Sequence, residues 1–384
     1  SWQLIPLGQL AYEVSERVSD PDKSAFNKFV GLEHVISGDL KISKYSSTDG
    51  LVSAAKKFKS GDVLFARRNA YLKRASLVDF DGVCSGDAFV LRENNELIVP
   101  GFLALIVNSE FVWEFANSNA EGTMSKRVKW RDLESLEIAI PSIPEQARIM
   151  ELIKALEDSL DLNYKTFEKL QILKESLIQE SFFKSSNIKR KEYRFDEIIE
   201  SIVAGTSVNC EKHLFSKNDK GVLKTSSITG NRFDPEEVKV VNPVNYDKLK
   251  CNVEKSSILF NRKNTKQLVG SSKYIDKSYA NIFLPDLIWS IQVNEDIVIP
   301  KFFWFYLSSK RIRGKISSLS NGTNESMVNI SQKQFFKILA FLPCKAYQEK
   351  KLNEFENLEK LVIGCRMKIN SEKALRKSII QKVF

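Results

Sequence analysis

The sequence predicts an α+β protein built twice over, as globule, long helix, second globule and second long helix. Three observations predict it. From Pro144 to about Phe183, apolar residues recur at alternating steps of three and four: Ile149, Leu152, Ile153, Leu156, Leu160, Phe167, Leu170, Leu173, Leu177 and Ile178. Glu, Lys and Asp fill the other face. The same helix returns at the end of the chain, with Pro141 and Pro343, Gln146 and Gln348, Leu177 and Ile379, Gln179 and Gln381, and Phe182 and Phe384 all 202 positions apart. The stretches preceding the two helices carry short apolar strands and turn residues in a matching order.

Pro144 suits the first turn of a helix because its missing N–H has no intrahelical acceptor there, and Glu145 sets negative charge at the positive end of the helix dipole. Such a helix is roughly 60 Å long, more than a globular core requires, and reads as a spacer. The closing helix, from Ala346 to Phe384, has its own seam at Leu352, Phe355, Leu358, Val362, Ile369, Leu375 and Ile379. Running back antiparallel along the first helix buries both seams as a coiled coil and gives one chain a pseudo-two-fold. Asn163 and Cys365 fall at equivalent seam positions.

The first globule spans 1–142, followed by a central helix over 143–184, a second globule over 185–343 and a closing helix over 344–384. Within the first, Trp2–Leu10 leads into a helix-compatible AYEVSERV. Phe29–Val35 and Gly61–Arg67 read as strands, Val83–Leu91 as a third strand, and Pro100–Ala116 as one core helix; Leu133–Ile140 then leads into the long helix. The second globule repeats this order. Leu64–Asn69 matches Leu259–Asn264, Val99-Pro100 matches Ile299-Pro300, and Gly122-Thr123 matches Gly322-Thr323. Elsewhere the halves diverge, which suggests one task performed on two different targets.

A chain of 384 residues with 43% hydrophobic content has enough apolar material for ordinary cores. The 58 Lys and Arg against 48 Asp and Glu give a formal charge of +10 and favour an acidic partner, nucleic acid first. The five cysteines, Cys84, Cys210, Cys251, Cys344 and Cys365, have neither disulfide-framework nor zinc spacing, which points to a reducing compartment. No apolar run approaches the ~18 residues that span a bilayer, so the sequence reads as a soluble cytoplasmic protein without a membrane partner.

Catalytic signatures are missing. The sequence holds no phosphate-binding loop, no G-x-G-x-x-G and no Asn-Pro-Pro-aromatic methyltransferase motif, since Asn242-Pro243-Val244-Asn245 lacks the second Pro and the aromatic ring. Asp234 to Lys239 imitates the acid-x-Lys of a metal-dependent nuclease, but the first half has no counterpart and a charged turn explains it. His34 and His213 fall at non-equivalent positions. Neither a catalytic residue nor a metal ligand is assigned.

Two kinds of stretch are candidates for nucleic-acid contact. Arg67-Arg68-Asn69 and Arg262-Lys263-Asn264 each follow a buried strand, with Lys73-Arg74 and Lys266-Gln267 close behind. Arg and Lys hold phosphates or read guanine, and Asn and Gln pair with adenine in the major groove. A solvated basic turn has the same composition; occurrence in both halves favours contact. The loops after the Gly-Thr pairs carry Lys126, Arg127 and Lys129 in the first half and Asn324 and Ser326 in the second. Their differences read equally as two specificities or as loop drift. Tyr45, Tyr71 and Trp130 lie near basic residues but read better as core.

The combination resembles the specificity subunit of type I restriction-modification enzymes. Ile138-Ala139-Ile140-Pro141 with Gln146, Leu173 to Phe182, and their copies from Leu339 through Gln348 to Phe384 carry the resemblance. The second copy departs from it by reading CKAYQEK where the first reads SIPEQ, without the Pro before the helix. The resemblance implies two target recognition domains, each reading half of a bipartite asymmetric site in double-stranded DNA. It implies paired helices that set the unread spacer and dock two methyltransferase subunits, with Ile153, Phe167, Leu170, Phe355 and Ile369 as the docking candidates. It also implies that S-adenosylmethionine is held by those partners, with no cofactor on this chain, and that motor-nuclease subunits complete the assembly. A coiled-coil scaffold with protein-binding globules, or a specificity module of another DNA-modification system, are the alternatives.

Overall fold

The computed structural model describes residues 2–184, 188–216, 218–322 and 327–384. The chain divides into two compact units, residues 1–164 with 367–384 and residues 165–366, so both long helices contribute to both units. The first long helix is Ile143–Gln179, continued by a π-helical turn over Glu180–Lys184, and the second is Lys345–Val383.

In the first unit, Ala11–Glu13, Ala88–Glu93, Val63–Ala66 and Ala75–Leu77 form an antiparallel sheet in that order. A second sheet runs Arg17–Val18, Ala55–Phe58, Gly82–Cys84 and Phe29–Val30, the last pair parallel. AYEVSERV therefore contributes two strands instead of a helix, because Ala11–Glu13 finds an edge to pair with on Leu91–Glu93. Val83–Leu91 is likewise two strands, parted at Gly86-Asp87, and Phe29–Val35 is a strand followed by a 3-10 turn. Pro100–Ala116 is two helices, Phe102–Val107 and Glu110–Ser118, parted where the Ser109 hydroxyl donates to the Ile106 carbonyl at 2.7 Å and accepts the Val112 amide.

The second unit repeats the plan. Ile199–Ala204, Ile288–Val293, Ile258–Asn261 and Ser272–Tyr274 form the first sheet, and a five-stranded sheet centres on Gly221–Leu223. Each unit also has a two-stranded ribbon at the foot of its long helix, Gln3–Pro6 with Glu137–Ile140 and Arg190–Arg194 with Leu339–Pro343.

Where the second helix lacks its proline, a glutamine fixes its start as in the first. Gln146 accepts the Val99 amide (3.0 Å) and donates to the Leu97 (3.1 Å) and Pro141 (2.9 Å) carbonyls. Gln348 accepts Ile299 (2.9 Å) and donates to Ile297 (3.0 Å) and Pro343 (2.9 Å). Both side chains are buried, and a buried amide needs such partners. The main core of the first unit takes in Ile153 from the start of the first helix and Ile380 from the end of the second, with Val383 and Phe384 beside it. In the second unit the core takes Ile178 and Phe182 from the end of the first helix and Phe355 from the start of the second.

The inward rows of both helices keep a strict three-four spacing. In the first unit the rows hold Ile149, Ile153, Leu156, Leu160 and Asn163, with Ile369, Glu372, Arg376 and Ile379. In the second unit they hold Phe167, Leu170, Lys174 and Leu177, with Phe355, Leu358, Val362 and Cys365. Leu152, Leu173 and Leu375, expected on the seam, are exposed because they fall one position off this spacing. Polar residues occupy several seam positions. Glu372 accepts from Ser159 (2.8 Å) and Asn163 (2.7 Å), and Arg376 pairs with Glu157. Lys174 pairs with Glu359, which is the same contact 202 positions away.

Candidate nucleic-acid interface

The first-unit loop after Val63–Ala66 is held by backbone contacts on both sides. The Arg67 amide donates to the Asp87 carbonyl at 3.0 Å, the Arg67 carbonyl accepts the Val128 amide at 2.9 Å, and the Asn69 amide donates to the Lys126 carbonyl at 2.9 Å. Arg68 and Arg127 form an isolated antiparallel bridge. Two stretches chosen separately in the sequence, 67–69 and 126–129, are therefore brought together. Asn69 adopts a left-handed backbone with φ 55°, which Asn tolerates better than most side chains, and leads into a 3-10 turn over Ala70–Leu72.

Asp87 organises the cations. Its carboxylate accepts from Arg127 Nε at 2.9 Å and lies 3.4 Å from the Arg68 guanidinium, while Arg68 Nε donates to Ser125 Oγ at 2.6 Å. The Arg127 hydrogen bond chiefly, with the Arg68 charge adding, holds the Asp87 carboxyl below the usual carboxylate range against the opposing effect of burial. Arg67 lies over the Phe89 ring at 5.5 Å, and its buried Nε has no partner among the described residues. Lys129 pairs with Glu121, and Lys126 is exposed. The result is a cationic loop pair fixed by one carboxylate, suited to contacting phosphates or base edges.

Lys73 and Arg74 point to other tasks. Lys73 pairs with Glu110, and Arg74 donates to the Leu32 carbonyl at 2.9 Å. Trp130 packs edge-on against Phe89, whereas Tyr45 and Tyr71 are exposed. His34 is occupied in a turn, its Nδ1 accepting the Gly31 amide at 2.9 Å.

In the second unit, the Arg262 amide donates to the Leu287 carbonyl (3.1 Å), the Arg262 carbonyl accepts the Ile330 amide (3.0 Å), and Lys263-Asn264 pairs with Val328-Asn329. This is the same junction of two loops. Its electrostatics differ, because Arg262 Nε donates to the backbone carbonyl of Asp286 at 2.8 Å instead of pairing with its carboxylate. Asn261, the residue before this loop, is buried with neither side-chain amide atom partnered among the described residues. The Lys266 and Gln267 side chains are exposed, and their carbonyls accept from Ser317 and Arg313. Asn324 and Ser326 lie outside the described residues. Sequence reasoning missed Asp87 and Asn261. The Gly-Asp break inside an apolar strand pattern was the available signal for the former, and the latter had none.

The five apolar docking candidates separate by burial. Ile153 (3% exposed), Phe355 (1%) and Ile369 (1%) are buried and present no surface, which corrects that expectation. Phe167 and Leu170 are half-buried, with the Arg366 guanidinium over the Phe167 ring at 4.3 Å. Exposed apolar side chains lie elsewhere on the helices, at Leu152, Leu162, Ile172, Leu173, Leu361, Met367 and Leu375.

Fold and site define a duplicated α+β protein with a structured loop pair of the same design in each copy. Residues 35–171 match the family model of the type I restriction modification DNA specificity domain. Over 161 residues the chain is 26% identical to the type I restriction enzyme EcoDI specificity subunit of Escherichia coli, an alignment spanning 41% of this chain and 35% of that one. It is 22% identical to the EcoKI specificity subunit of Escherichia coli K12 over 386 residues, covering 91% and 80% of the two chains. The type-I restriction-modification S subunit from M. genitalium shares its fold, with a TM-score of 0.62 at 14% identity over 100% of this chain and 96% of that one. The chain is thus similar to the specificity subunits of type I restriction-modification enzymes, although its match spans only about a third of the EcoDI subunit. No helix among the described residues is long and apolar enough to cross a membrane.

Proposed function

We propose that this chain is the DNA-reading, non-catalytic subunit of a type I restriction-modification assembly. Each unit reads one half of a bipartite asymmetric site in double-stranded DNA. The two long helices pair antiparallel with pseudo-two-fold symmetry, set the unread spacer and dock two methyltransferase subunits, which hold S-adenosylmethionine and methylate adenine. Motor-nuclease subunits complete the restriction enzyme. The observation that carries the reading is the loop junction built once in each unit, with Arg67 and Arg262 at equivalent points and unlike side chains around them. One design with two chemistries is what a split, asymmetric site requires.

For docking, the exposed Leu152, Leu162, Leu173, Leu361 and Leu375 take the place of the enclosed Ile153, Phe355 and Ile369, with Phe167 and Leu170 beside them. Exposed apolar side chains in such number favour a protein partner. The test combines the chain with a methyltransferase subunit and S-adenosylmethionine, then maps methylated adenines by sequencing. One interrupted motif is expected, and the chain alone is expected to leave DNA unmodified and uncut. Methylation at a continuous motif overturns the bipartite reading.

A further inference from the structure

The second unit contains a cavity of about 430 Å³, within the range of small-molecule sites, that plays no part in the loop junction. Its walls come from the strand 272–274, the helix Pro300–Ser308, the turn at Phe233 and the first half of the second long helix. Phe233, Tyr274, Tyr279 and Trp304 supply aromatic walls; the amines of Lys301 and Lys277 lie over the Tyr274 and Tyr279 rings at 5.3 and 5.0 Å, and the buried Trp304 is fixed by its indole N–H, which donates to the Ser272 carbonyl at 3.1 Å.

The charges around it are unevenly matched. Asp276 and Glu356 are both taken by Lys301, at 3.3 and 3.0 Å, and Glu359 by Lys174. Lys273 also lines the cavity; its half-buried side chain makes neither a hydrogen bond nor an ion pair among the described residues, and the Glu359 charge that acts on its amine is already paired with Lys174, with Arg313 adding a like charge. Arg232, Lys277 and Lys360 stand exposed on the rim. An ammonium partly removed from water beside a carboxylate that it must share is costly, and an anion arriving in the cavity lowers that cost.

We propose that this cavity binds a small organic anion carrying a flat ring, the chemical class to which mononucleotides belong. The ring stacks among the aromatic walls and the anionic group meets Lys273, with the rim cations drawing it in. Burial lowers the Lys273 amine to about 8, so an empty cavity holds a partly deprotonated lysine near that pH and an occupied one a charged lysine.

The test is calorimetric titration of the full chain with adenosine 5′-monophosphate, using adenosine and inorganic phosphate as the two halves of the probe. The whole probe is expected to bind more tightly than either half at pH 7, and about tenfold more weakly at pH 9, where the free amine is mostly neutral. Lys273→Met is expected to weaken binding at least tenfold without lowering the melting temperature of the free chain. Lys360→Gln, on the exposed rim, weakens it by a smaller factor, and Arg262→Ala leaves it unchanged. Equal binding of the whole probe and either half, or wild-type affinity in Lys273→Met, overturns the proposal. So does displacement of the probe by duplex DNA, which would assign the cavity to the nucleic-acid surface.

Discussion

Asp87 lies between Arg68 and Arg127, the two cations that tie one loop to the other. Because its folded pKa is depressed, its contribution to stability is fully present above the ordinary carboxylate value of about 3.9 and is lost as pH falls through the lower folded value. The loop pair is therefore intact at neutral pH and loosens only in strong acid. Replacing Asp87 with Asn frees both arginines and removes a negative charge, so non-specific DNA binding is expected to rise while discrimination between sites falls. Competition between specific and random duplexes checks this. Arg127→Ala is expected to weaken binding and to flatten the plot of log affinity against log salt by about one, the signature of a lost phosphate contact. A larger loss confined to one base pair identifies Arg127 as a base reader instead. The sequence revealed the cations and hid the anion, since an acidic residue beside a loop expected to contact DNA looks adverse until its two partners are known.

Among the elements, the long helices were the most legible, because their three-four periodicity persists for nearly forty residues, with no Gly or Pro after Pro144 in the first. Their seam was less so. Lys174, Glu372 and Arg376 read as solvent-facing charges, yet they occupy inward positions and find partners there. Leu152, Leu173 and Leu375 read as seam and are exposed, one position off the inward rows. The break at Ser109 was hidden because apolar spacing continues through it; Ser309 makes the same cap, donating to the Tyr306 carbonyl at 2.7 Å. Strand pairing was the least legible, since it depends on partners far away in sequence. Removing one member of a half-buried pair leaves the other uncompensated, so Glu359→Ala is expected to destabilise the second unit by about 1–3 kcal/mol. The double change Lys174→Met with Glu359→Met should cost much less. Denaturant unfolding of the two variants measures both.

At the scale of the molecule, duplication was legible from anchor residues with constant spacing, while the discontinuity of the units was not. If each unit reads its own half-site, exchanging residues 1–142 for those of another relative changes one half of the methylated motif and leaves the other intact. Adenine-methylation mapping decides this, and simultaneous change of both halves counts against independent reading. Inserting four residues into each long helix is expected to lengthen the unread spacer in the same assay.

The first unit is completed by the second long helix: Ile380 is buried in its core and the Phe384 ring lies 5.7 Å from that of Phe102. A ribosome delivers those residues only after the whole of the second unit. The amino-terminal unit, though synthesised first, must wait with an open apolar groove until the second unit has emerged, so translation order and folding order run opposite ways. Such a nascent chain invites chaperone binding while the second unit is being made, and substitutions that disrupt Ile380 or Phe384 would damage the half of the protein that left the ribosome earlier.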